Sequence, residues 1–321
     1  MEIDTNEELL FRLVQNYLKK PPLIVWGSGA TIPFGMPSMS DLNEILKDKL
    51  PEFDGTNNNL EKELGKEKYL KHIRKIRGFI GDAICKSDLN ALSKIISKDE
   101  SFAGIKSMFD NFYAAHPHKL DIVTTNYDCI LEYMLSYNQY SYTDGFTDKK
   151  LSLFNDSLFR NRDIVNVIKV HGSLNWFDID GDIRFLSADD DTGYEREIIP
   201  PGKNKYQEAY KPPYRELIQK ADSCIKSAQS FFAVGFGFND EHLTPEIIRK
   251  VKEGIPIVLI TKKVTTTTHA ELKNAQKYIF LEEADKNRSM ITYKRDNIEG
   301  EKTFIIDGNY WELTKFMNIY E

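Results

Sequence analysis

The strongest constraint on this chain is a set of short apolar runs, each ending in glycine or small polar residues. Leu23–Trp26 runs into Gly27-Ser28-Gly29-Ala30-Thr31, and Leu120–Thr124 into Thr125-Asn126-Tyr127-Asp128. Ile164–Val170 runs into His171-Gly172-Ser173-Leu174-Asn175, and Phe231–Val234 into Gly235–Asp240. Runs this short, separated by segments of helical periodicity, predict parallel strands buried on both faces. A sheet of that kind places the carboxyl ends of its strands on one edge. Four polar turns would then meet in one cleft, lined by glycine backbone, an Asn, an Asp and a His.

Spacing places the helices. Leu9, Leu10, Leu13, Val14, Tyr17 and Leu18 mark an amphipathic helix over 6–19, which Pro21 and Pro22 stop. Asp41 and Glu44 have capping-box spacing around Leu42, ahead of Ile45, Leu46 and Leu50. Residues 51–78 turn polar and charged, and 59–115 read as helical with no strong strand before 120. The chain thus divides into an α/β domain formed by 1–50 and 118–321, and a helical insertion or small subdomain over 51–117. Lys68, Lys71, His72, Arg74, Lys75 and Arg77 read as a solvated helix face of that insertion. Further on come a helix at 128–136 and a hairpin turning at Asp180-Gly181, then helices over 216–228 and 244–252. Strands at 257–260 and 278–281 and a helical tail over 310–320 complete the alternation. The expected class is α/β: a doubly wound, Rossmann-like, mostly parallel sheet with a helical insertion.

Composition narrows the partners. A net charge of −6 and a pI near 5.7 disfavour a broad nucleic-acid footprint, so no direct nucleic-acid contact is expected. Cys85, Cys129 and Cys224 lie far apart, against a disulfide framework or a four-thiolate zinc site and in keeping with a reducing cytoplasm. The opening MEIDTNEELL is acidic, unlike a secretory leader, and no run approaches the roughly 18 apolar residues of a membrane span. His116 and His118 flank a proline with no carboxylate or cysteine at ligand spacing, so no metal is expected. Trp26 and Trp176 read as core aromatics.

Together the turns carry a resemblance. GSGATIPFGMPSM, from Gly27 to Met39, resembles the sirtuin signature Gly-Ala-Gly-x-Ser-x-x-x-Gly-Ile-Pro. Thr124-Thr125-Asn126-Tyr127-Asp128 resembles the sirtuin Thr-Gln-Asn-Ile-Asp, and Lys169–Ser173 the segment carrying the sirtuin catalytic histidine. Order and spacing match over about residues 23–262. The likeness is closer to the bacterial sirtuin-like branch that degrades NAD, where Pro-Ser-aromatic-x-x-Leu follows the glycine turn. Pro37-Ser38-Met39-Ser40-Asp41-Leu42 stands there in this chain. Deacetylases carry Asp-Phe-Arg at Ser38–Ser40 and a four-cysteine zinc module after the histidine, and both are missing. Thr125 replaces a Gln that would touch ribose, and Met39 an aromatic residue that would shield nicotinamide.

The resemblance implies that NAD is the substrate, bound by Gly27, Ser28, Gly29, Ala30, Thr31, Pro37, Thr125, Asp128, Gly235 and Gly237, with no metal. Asp128 would hold the nicotinamide amide, and Asn126 and His171 would be catalytic. Cleaving the nicotinamide–ribose bond passes through an oxocarbenium-like ribose, and the cationic leaving group needs no strong acid. The protein must hold the dinucleotide, stabilise the ribosyl cation and direct water to its carbon. An Asn can orient water or a ribose hydroxyl, and a His can accept a proton from either at neutral pH. Taken singly, these residues have plainer readings. His171 could be satisfied at a strand end, Asn126 could be a left-handed turn residue and Asp128 a helix N-terminal acid. Ser28, Thr31 and Ser173 either bind phosphate or ribose or cap backbone groups, and Asp240 reads as the cap of the next helix.

The first function implied is NAD⁺ hydrolysis to nicotinamide and ADP-ribose, depleting NAD in anti-phage defence. Control would come from homo-oligomerisation or a second protein, a HerA-type ATPase/helicase being what short members of the branch suggest. The alternatives are a protein deacylase or ADP-ribosyltransferase, which needs an acceptor, and a non-catalytic NAD or ADP-ribose sensor. A dehydrogenase is disfavoured, because the turn lacks its third fingerprint glycine and no second strand ends in an acid about 20 residues on.

Overall fold

Strands that are apolar at every position need cover on both faces, and the chain supplies it. The computed structural model describes residues 5–18, 21–57, 59–147, 150–161, 163–190, 193–202, 212–296 and 300–320. Its strands are β1 (Leu23–Trp26), β2 (Leu120–Thr124), β3 (Tyr142–Thr143), β4 (Val165–Lys169), β5 (Gly172–Ile179), β6 (Asp182–Phe185), β7 (Glu195–Ile198), β8 (Phe231–Val234), β9 (Ile257–Ile260), β10 (Tyr278–Asp285), β11 (Arg288–Lys294) and β12 (Lys302–Asp307). Nine of them form one sheet in the order β12-β11-β10-β9-β8-β1-β2-β4-β3, and β6-β5-β7 form a second, antiparallel one. From β3 to β10 the large sheet is parallel, and β11 and β12 extend it antiparallel. The chain moves outward from β1 through β2 and β4, then returns to place β8 on the other side of β1. The crevice between β1 and β8 is therefore the topological switch point, where doubly wound sheets bind ligands.

Successive strand residues face opposite sides and sort cleanly into two cores. Ile24, Trp26, Ile122, Phe232 and Val258 join one core, and Leu23, Val25, Val123, Phe231 and Ile257 the other. The helices are α1 (Asn6–Tyr17), α2 (Met39–Lys49), α3 (Leu60–Leu64), α4 (Ile73–Ile96), α5 (Ala103–Tyr113), α6 (Ile130–Tyr137), α7 (Tyr214–Ser227), α8 (Leu243–Lys252), α9 (Thr266–Leu272) and α10 (Leu313–Met317). Leu10, Leu42, Leu60, Ile76, Ile105, Ile130 and Phe316 bring α1 to α6 and α10 to the first core; Leu217, Ile247 and Leu272 bring α7, α8 and α9 to the second. Both faces are covered, as the doubly wound class requires. No described helix is long and apolar enough to cross a membrane.

Two local expectations change. The capping box of α2 is Ser38 with Asp41, not Asp41 with Glu44. Ser38 is extended directly after Pro37, and its hydroxyl and the Asp41 carboxylate satisfy each other's backbone N–H groups, so the helix starts at Met39. The basic cluster is not wholly a solvated face either. Arg74 pairs with Glu195, and Arg77 lies 3.7 Å from Glu197, which ties α4 to β7.

Candidate active site

The two turns at the switch point touch through their backbones. Gly27 N–H donates to Val234 O at 2.9 Å, and Gly29 N–H donates to Gly235 O at 3.0 Å. Gly235 has φ +56°, and a Cβ there would overlap the backbone of Gly29 and Ala30. A Cβ on Gly27 would in turn overlap Gly235 and Phe236. Close chain approach therefore explains these glycines without a ligand. The Ala30 and Thr31 N–H groups close their own turn onto Gly27 and Ser28. The turn thus offers no run of open amides.

Beside the crossing lies a cavity of about 360 Å³, to which all four turns contribute. Gly27, Ser28, Thr31, Pro37, Thr125, Asn126, Asp128, His171 and Gly237 line it. Gly29, Ala30 and Gly235 do not line it, and Ser173 is buried outside the lining. Trp26 and Trp176 are fully buried in the core. Among the described residues no group of three or more His, Cys, Asp or Glu could hold a metal ion.

Asn126 is pinned. Its N–H donates to Thr124 Oγ1, which itself donates to Trp26 O across the strands. Its Nδ2 donates to Gly27 O at 3.2 Å and to Thr31 Oγ1 at 3.3 Å. A carbonyl only accepts, so the amide orientation is set. Oδ1 is left buried with no hydrogen-bond partner among the described residues, at the cavity wall. Asp128 is fully enclosed; burial pushes its carboxyl up from the ordinary range, while Lys169 and hydrogen bonds from Ile130, Thr31 and Asn126 pull it down.

His171 closes β4 where the chain passes into β5. Its carbonyl accepts from Ile199 N–H at 2.9 Å, and Ile199 O accepts from Tyr127 OH at 2.5 Å. Its Nε2 lies 3.0 Å from Asp240 Oδ2. Asp240 Oδ1 accepts from the N–H groups of His242 and Leu243 just ahead of α8, whose N-cap residue is His242 rather than Asp240. The pairing with His171 is an additional role that reading Asp240 as a cap missed, because holding those N–H groups occupies only one carboxylate oxygen.

Beneath the turns sits a buried ionic layer that the motifs did not suggest. Lys169 Nζ, almost wholly buried, donates to Tyr127 O, Asp128 O and Glu132 Oε1 at 3.3, 2.5 and 2.7 Å. Three acceptors match the three hydrogens of an ammonium. Burial works against that charge, but Glu132, Cys129 and Asp128 outweigh it and hold Lys169 above the ordinary lysine range. The one warning in the sequence was a lysine inside the apolar run Ile164–Val170. Asp88 on α4 accepts Cys129 N–H and Tyr133 OH, both at 2.7 Å. Asn59, Leu60, Glu61 and Ile84 also supply cavity wall, none of which any motif marked.

Comparison with known proteins follows this geometry. The SIR2-like domain family matches residues 121–299, more than half of the chain. A solved SIR2 homolog in complex with NAD is 15% identical with a TM-score of 0.50, covering 86% of this chain and 89% of that one. A Sir2 homologue mutant in complex with 2'-O-acetyl ADP ribose is 14% identical with a TM-score of 0.48, covering 86% and 90%. No curated protein matches. With the family's match extending from β2 through β4 to β11, and the sheet wound as in a solved SIR2 homolog, the chain belongs to the SIR2-like domain family.

Proposed function

We propose that this protein hydrolyses NAD⁺ at the nicotinamide–ribose bond, giving nicotinamide and ADP-ribose. The observation that carries the reading is one cavity beside the switch-point turns lined both by Asn126, whose Oδ1 has no partner among the described residues, and by His171. The structural likeness to a SIR2 homolog solved with NAD supports the choice of dinucleotide.

Each residue then has a task. Gly27, Ser28, Thr31, Pro37, Thr125 and Gly237 contact the dinucleotide, and Gly29, Ala30 and Gly235 hold the crossing of the two turns. Asp128 holds the nicotinamide amide. As the bond from ribose C1′ to nicotinamide breaks, nicotinamide keeps the electron pair and leaves neutral, and C1′ carries the positive charge. Asn126 Oδ1 accepts from the attacking water or a ribose hydroxyl and so orients it. Water adds to C1′ through oxygen, and its proton passes to His171. In the wider reading the protein is a cytoplasmic homo-oligomer that depletes NAD in anti-phage defence, paired with a HerA-type ATPase/helicase.

Nicotinamide release is the test, measured on the purified chain with NAD alone and again with a HerA-type partner added. Release without any acyl-peptide supports hydrolysis. Strict dependence on an acylated acceptor would replace it with a deacylase, and binding without turnover in both settings with a sensor.

A further inference from the structure

The Asp240 carboxylate is divided between two elements. Oδ1 is fixed at the start of α8 by the N–H groups of His242 at 3.1 Å and Leu243 at 2.8 Å, and Oδ2 lies 3.0 Å from His171 Nε2. Both side chains are only 5% exposed, and both residues line the cavity. We propose that Asp240 is the positioning residue of the hydrolysis, holding His171 as the Nε2–H tautomer and stabilising the imidazolium that forms when the ring takes its proton. The inference rests on His171 being the proton acceptor.

The logic is one of donors and acceptors. The 3.0 Å contact is an ion pair not aligned as a hydrogen bond; an ionised carboxylate only accepts, so a ring that turns to close the bond carries the hydrogen on Nε2. The lone pair of the neutral ring then lies on Nδ1, which is the basic atom. Two backbone bonds keep the carboxylate from swinging away, and the helix N-terminus favours its charge. On the other side the His171 carbonyl is tied to Ile199 N–H. A base oriented by a third, anchored group is the arrangement that activates nucleophiles in hydrolases generally.

Asp240→Asn separates this role from holding the N–H groups of His242 and Leu243. Asn serves at helix starts as well as Asp, so its Oδ1 keeps those two N–H groups and the fold holds. Nδ2 then faces His171, a donor against a donor, and the ring must take the Nδ1–H form. In catalytic triads the same exchange lowers turnover by about four orders of magnitude through the wrong tautomer.

The expected results at pH 8 are a switch of the His171 ring nitrogens in a ¹⁵N spectrum and a turnover loss of about a hundredfold or more. KM for NAD should stay within about threefold, and Asp240→Asn should cause no further loss in a His171→Ala background. An unchanged ring spectrum, wild-type turnover, or losses that multiply in the double variant would each overturn the proposal. An active Asp240→Asn beside an inactive His171→Ala sinks Asp240 alone. A fully active His171→Ala sinks the underlying reading, and the ring spectrum still decides whether Asp240 sets the tautomer.

Discussion

The turns after β1 and β8 and the turns after β2 and β4 build the same cavity with different balances of backbone and side-chain contact. The first pair is held backbone to backbone, with glycine wherever a Cβ would collide. The second pair shares backbone ties, Val170 N–H to Thr124 O and Leu174 N–H to Tyr127 O, but adds buried side chains: Lys169 under the Tyr127 and Asp128 carbonyls, Thr124 bridging to β1, Asp88 under Cys129. Backbone contact leaves no room for variation but fixes position. Side-chain contact leaves groups that can exchange protons and accept from a ligand. In the proposed hydrolysis, the crossing would set where the dinucleotide lies, and the second pair what happens to it.

The comparison breaks most visibly at the crossing. Gly235→Ala forces an L-residue to positive φ and drives its Cβ into the Gly29–Ala30 backbone, so both turns must part. The expected loss is roughly 3–5 kcal/mol of stability, read from denaturant unfolding, together with loss of NAD binding. Wild-type stability would mean that the turns are not locked. In the second pair, Asn126→Ala and His171→Ala should each lower nicotinamide release by about a hundredfold, equivalent to about 2.7 kcal/mol at the transition state. Both should keep the fold, because neither removes a backbone tie. If both keep full turnover, the second pair is scaffold as well.

The same contrast explains what could be read from the sequence. β8 and β9 stand where their apolar runs are, and the hairpin turns at Asp180-Gly181 with both residues at positive φ. The four turns meet, because parallel strands buried on both faces leave only one edge for their carboxyl ends. β11 and β12 gave no such signal. Ser289 and Thr292 occupy buried positions, and β12 exposes Lys302, Thr303, Ile305 and Asp307, so neither strand reads as an apolar run. α9 opens with three threonines, poor helix formers, and depends on the Thr265 cap. Asp240 and Lys169 were hidden for another reason. Their roles lie in pairings across distant segments, which no local spacing encodes.

The subtlest effect belongs to Asp88, where α4 meets the second pair of turns. Burial raises its carboxyl to about 7 and the nearby Asp128 adds to the rise, against hydrogen bonds from Tyr133 and Cys129 and the charge of Lys169. An acid whose pKa is higher folded than unfolded binds more protons in the folded state between about 4 and about 7. Its contribution to stability is therefore full below about 4, falls as pH rises through that window, and is lost above about 7. Asp88→Asn copies the protonated acid, with Oδ1 still accepting Cys129 N–H and Nδ2 able to donate to Tyr133. Melting temperatures of the variant and the wild type should nearly coincide at pH 4, with the variant a few degrees higher at pH 8. A difference that stays the same from pH 4 to 8 would show that Asp88 does not titrate beneath the turns. The side-chain-held half of the cavity would then be as insensitive to pH as the glycine-locked half.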